Sequence, residues 1–145
     1  MRCNENNPCP NDSQLSSGSF RLPWALALAL MVVLAQPVLS QSLYWDLNGS
    51  ANGSGGPAPS GLWDASTANW NIHAQGNGAP SLWSSGNTAV FSAGTDATGQ
   101  YTVTLSGAQT ATGLTFEEGT ATLAGDGLTL TGSSLVTVNA AAKGI

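Results

Sequence analysis

The sequence after Ser40 predicts an all-β fold, and three observations carry the prediction. Short segments from Thr88 onward set apolar residues two apart, with threonines at many of the alternate positions. Turn words such as Asn-Gly, Gly-Gly and Gly-Ala-Pro separate the segments. No stretch after Ser40 repeats its apolar residues at helical spacing.

Between Leu43 and Ser85 the chain is rich in turns and tryptophan, and Leu43-Tyr44-Trp45 and Leu62-Trp63 are the strands that fit between the turn words. From Thr88 the segments TAVF, YTVTLSG, ATGLTFEEG, TATLAGDG, LTLTGSS and LVTVNAA follow in order. Val103 and Leu105, Leu114 and Phe116, Leu128 and Leu130, and Val136 and Val138 each place two apolar side chains on one strand face. Short strands recurring at about 8–12 residues suit a sandwich, a barrel or a solenoid. The unit G-L-T-[FL], at Gly113 to Phe116 and again at Gly127 to Leu130, is repetition of the kind that stacks coils. It favours a right-handed parallel β-helix with hydrophobic and threonine ladders; a β-sandwich is the alternative.

Three zones are expected: a leader and signal peptide over 1–40, a Trp/Gly-rich N-terminal cap region over 41–87, and β-strand repeats over 88–145. Leu22 to Ala35, LPWALALALMVVLA, is an uncharged apolar run with Arg21 before it and small residues after it. Those are the three parts of a signal peptide, with Val38 at −3 and Ser40 at −1 of the expected cut. A membrane anchor, the rival reading, needs roughly 20 apolar residues. Gln36 and Pro37 interrupt the run before that length is reached. A lipoprotein would carry cysteine where Gln41 and Ser42 stand. The expected address is therefore secreted or cell-surface, with the export machinery as partner. Cys3 and Cys9 leave with the leader, so the mature chain has no disulfide to staple it.

The formal net charge is −5, and only 8% of residues are charged. The leader holds Arg2 and Arg21 against Glu5 and Asp12, so its removal leaves the balance unchanged. What remains is Asp46, Asp64, Asp96, Glu117, Glu118 and Asp126 against Lys143. A surface without arginine cannot neutralise a phosphate backbone, which excludes nucleic acid as a partner.

Candidate sites are few. Trp45, Trp63, Trp70 and Trp83 read first as core or cap, because burying large rings is so favourable. An exposed platform for sugar rings is the second reading. Asp46-Leu47-Asn48-Gly49-Ser50 echoes the start of a calcium loop, but the closing carboxylate is missing at the required offset. Turn capping by Asp46 and Asp64 is the better reading. His73 stands alone, with no second histidine and no mature cysteine to build a zinc site. No G-x-S-x-G elbow supports a serine triad. Glycoside hydrolysis needs two facing carboxylates, whereas Glu117 and Glu118 are adjacent and read as solvated turn residues. No metal, cofactor or catalytic residue is expected.

The order of words then adds a resemblance. YWD at Tyr44 to Asp46, LWD at Leu62 to Asp64, TANW at Thr67 to Trp70, Trp83, GNTAVF at Gly86 to Phe91, TVTL at Thr102 to Leu105, GLTF at Gly113 to Phe116 and LTLTG at Leu128 to Gly132 follow one another. Together they resemble the N-terminal part of bacterial proteins with autotransporter-associated β-strand repeats. The resemblance implies a secreted or surface-displayed structural passenger, built as an elongated parallel β-helix and without catalytic activity. An extracellular carbohydrate-binding module and a β-helix polysaccharide-degrading fragment are the alternatives. Members of such families usually continue with many repeats, whereas this sequence ends at AAAKGI, so a truncated product is expected. Repeat arrays need a cap at each end, and an uncapped final strand invites self-association.

Overall fold

A computed structural model describes residues 39–145, within the compact unit Pro37–Ile145. The expected leader, its apolar run Leu22–Ala35 and both cysteines lie outside the described residues.

The described residues form nine strands and no helix: β1 (Ser42–Trp45), β2 (Gly61–Trp63), β3 (Trp70–Asn71), β4 (Thr88–Phe91), β5 (Gln100–Leu105), β6 (Gln109–Phe116), β7 (Gly119–Gly125), β8 (Leu128–Val138) and β9 (Ala142–Gly144). They make two sheets, ordered β3-β1-β4-β6-β8 and β2-β5-β7-β9, and neither closes on itself. From β4 onward each successive strand joins the other sheet. Every pairing is parallel except β1 with β3 and the bridge between Trp70 and Ser81.

The alternation read from sequence decides which side chains meet. In the first sheet Leu43, Ala89, Leu114 and Val136 share one rank, and Phe91, Phe116 and Val138 share the next. Phe91 stacks on Phe116 with ring centroids 5.3 Å apart. In the second sheet Val103 pairs with Leu123, and Tyr101 pairs with Ala121, which pairs in turn with Gly144. Both sheets feed a single core cluster. A methyl group at Gly144 would lie 2.9 Å from Phe116 Cε2, so glycine is what lets β9 approach the ring of the opposite sheet.

Several local expectations change. LTLTGSS and LVTVNAA are one strand, β8, because Thr131 to Ser134 stands opposite Thr112 as a bulge and pairing resumes at Leu135. Nor do the two G-L-T-[FL] copies stack on each other. Gly113 to Phe116 pairs with Leu135 to Val138, whereas Leu128 to Leu130 pairs with Gln109 to Ala111. Leu130, Val136 and Val138, expected on a buried face, are exposed, the two valines by 50% each. β8 is an edge strand, and β9 in the other sheet has only three residues with which to cover it.

Candidate functional site

The four tryptophans read as a cluster in the sequence do form one, but inside the fold. Trp45, Trp63 and Trp70 are fully buried and Trp83 is 9% exposed. Trp70 lies 5.3 Å from Trp45, 4.9 Å from Trp63 and 4.6 Å from Trp83, measured between ring centroids. Phe91 adjoins three of these rings. Trp45 Nε1 donates to Pro59 O at 2.7 Å and Trp83 Nε1 to Thr110 O at 3.2 Å. The indole N–H groups of Trp63 and Trp70 have no partner. All four rings belong to the core cluster, and none stands out from the described surface as an exposed platform.

Three aspartates fasten the turn-rich zone. Asp46, fully buried, accepts from the Asn48 amide at 2.9 Å and from Asn71 Nδ2 at 2.8 Å. Burial pushes its carboxyl above the usual range, against the two donors, and the charge of Asp96 pushes the same way. Asn71 Nδ2 also reaches Gly76 O at 3.0 Å and Gly78 O at 2.9 Å, while Asn71 Oδ1 accepts from the His73 amide. Asp64 caps its own turn through the amides of Ser66 and Thr67, which hold it below the usual range. Asp96 takes the Ser54 amide, the Ser54 hydroxyl and the Gly56 amide at 2.7–2.9 Å. Burial alone would raise Asp96, but these donors together bring it below its ordinary value. Asn71 and Asp96 were not singled out from sequence. Their partners lie up to 42 residues away, with only the glycine run Gly53 to Gly56 to hint that those amides need an acceptor.

Glu117 and Glu118 are half-buried, contrary to the expectation of solvated turn residues. Burial raises both carboxyls, and for Glu118 the charges of Asp96 and Glu117 add to it against donation from Ala97 and Ser92. Tyr101, buried beside this pair, is pushed up chiefly by burial and then by Glu118. Among the described residues no group of three or more His, Cys, Asp or Glu is arranged to hold a metal ion.

Among the described residues a groove of about 370 Å³ lies on the first sheet, where β8 bulges. Ser40 Oγ and Thr112 Oγ1 are 2.6 Å apart, and Thr88 Oγ1 lies 3.3 Å from each. Thr131, Ser133 and Leu135 line the other wall, and Gly132 turns it with φ +72°. The lining carries hydroxyl and methyl groups but no charge. Such a surface can exchange hydrogen bonds with a neutral ligand.

The described residues define an all-β chain with an uncharged groove on its first sheet. A 134-residue alignment covering 83% of the chain is 33% identical to the "Adhesin BmaC autotransporter" of Brucella suis biovar 1 (strain 1330), and spans 4% of that protein. The match relates the chain to an autotransporter adhesin. No family model matches, and no solved structure matches significantly.

Proposed function

We propose that this chain is a segment of a secreted or cell-surface passenger, a right-handed parallel β-helix of β-strand repeats that serves structurally and catalyses nothing. The observation that carries this reading is the parallel register of β4-β6-β8 and β5-β7-β9, entered alternately by successive strands. Coils built in this way stack by neighbour contacts. The related adhesin supports the surface address, as does the apolar run Leu22–Ala35 in its role of export signal. Within this reading residues 41–87 close the N-terminal end of the array, and residues 88–145 belong to its repeats.

Expression of the full chain in a diderm bacterium, followed by fractionation and protease treatment of intact cells, tests the address. Loss of residues 1–40 with recovery outside the cytoplasm is expected. An uncut chain confined to the cytoplasm overturns it.

One observation favours a second role within the same frame, contact with neutral surface glycans: the hydroxyl-lined groove at the β8 bulge. Titration with uncharged oligosaccharides, read by chemical shifts of Thr112 and Thr131, is expected to move those resonances. Unmoved resonances at saturating sugar remove the role and leave the structural reading standing.

A further inference from the structure

The loop from Ile72 to Pro80 holds an arrangement that the passenger reading does not use. His73 Nδ1 lies 3.0 Å from Asn77 Oδ1, and Asn77 is followed by glycine. A carboxamide oxygen has no hydrogen to give, so this bond places the imidazole proton on Nδ1, directed at the side-chain carbonyl. Asn71 holds the loop on both sides, donating to Gly76 O and Gly78 O and accepting from the His73 amide. The Gly78 amide has no hydrogen-bond partner among the described residues. Glycine also leaves that nitrogen unhindered, because it carries no side chain to block approach to the preceding residue.

We infer that Asn77 is a self-modification site at which His73 promotes loss of the side-chain amide. The Gly78 nitrogen gives its proton to solvent and attacks Asn77 Cγ. The negative charge that develops on Oδ1 falls on the His73 Nδ1 proton, within hydrogen-bonding reach and already aligned. The Cγ–Nδ2 bond breaks, ammonia leaves with a proton from water, and a cyclic imide remains. One water then opens the ring to aspartate or isoaspartate, so that asparagine and water become the acid and ammonia. The isoaspartate product adds a methylene to the backbone before Gly78, whose carbonyl is an acceptor of Asn71. Modification therefore loosens the buried Asp46–Asn71 pair.

The chain supplies its own controls. Asn48-Gly49 has its side-chain amide donated to Asn52 O and no imidazole at hand. In Asn52-Gly53 the attacking nitrogen is engaged, with Gly53 N donating to Gln75 O at 2.9 Å. His73 is the chain's single histidine.

The purified full chain, aged at neutral pH and mapped by mass spectrometry that separates aspartate from isoaspartate, reads conversion at all three sites. In the folded protein Asn77 is expected to convert several-fold faster than Asn48 and Asn52, and several-fold slower in His73→Ala. In urea the three sites should converge on one rate, a comparison that needs no variant to fold. Equal rates in the folded protein, or a rate at Asn77 indifferent to His73→Ala, overturn the inference.

Discussion

Asn71 Nδ2 sits 2.8 Å from Asp46 Oδ2, joining the second residue of β3 to the residue just after β1 in a fully buried bond. The same amide nitrogen gathers carbonyls of the 76–78 loop, so one side chain meets three oxygens from two parts of the chain. Asn71→Ala leaves buried Asp46 Oδ2 and those carbonyls without this donor, and is expected to cost about 3 kcal/mol. Urea unfolding of the purified chain measures it.

The raised carboxyl of Glu117 gives a pH dependence. Its folded pKa lies above the ordinary value of 4.5 because of burial. The native state therefore keeps a proton that the unfolded chain has already lost, and stability falls as pH rises through that interval. Glu117→Gln does not titrate. It should raise the melting temperature at neutral pH and lose that advantage below pH 4.5, the ordinary value.

Two buried tryptophans should respond differently to the same change. Trp45→Phe loses ring volume and also the bond to Pro59 O, whereas Trp63→Phe loses volume from an indole whose N–H had no partner. Trp45→Phe is expected to be the more destabilising by about 1 kcal/mol, read from paired denaturation curves.

Glycine is required at Gly119. Its φ is +65°, and a Cβ there would collide with the carbonyl oxygen of Ala97 and, at 2.6 Å, that of Gly99. Gly119→Ala should cost about 2–4 kcal/mol, while Gly127→Ala, with nothing within 4 Å, should be close to neutral. Thermal melts of the two variants test the contrast.

The apolar edge at β8 predicts association. Leu135 is 68% exposed and Val136 and Val138 stand beside it on an edge strand, the arrangement that templates pairing with another chain. Light scattering of the purified chain should show self-association that Val136→Lys reduces. A monomer unaffected by the change excludes this edge as the contact.

The strands were legible where side chains alternate: Val103 with Leu105 and Leu114 with Phe116 point into the core as their spacing required. Sequence spacing reports a face and nothing about the neighbour, which is why the G-L-T-[FL] copies suggested a stacking that the register does not have. Gly132-Ser133-Ser134 read as a turn because glycine and serine break strands, yet a bulge accommodates them without ending β8. The tryptophans were legible as a group, and burial places them inside. Asp96 was not legible, since its partners lie 40 and 42 residues earlier and no local pattern marks so distant a bond. The hydroxyl groove escaped notice for a related reason, because it exists only once Ser40, Thr88 and Thr112 come from three separate stretches to one place.

The parallel register has a consequence for how the chain acquires its structure. β4 pairs back onto β1, β5 onto β2, β6 onto β4, β7 onto β5, β8 onto β6 and β9 onto β7. Each of these strands finds its template already laid down by residues that precede it. A polypeptide delivered N-terminus first can thus add one strand at a time, never waiting for a distant partner still to come, and each addition leaves a fresh edge ready for the next.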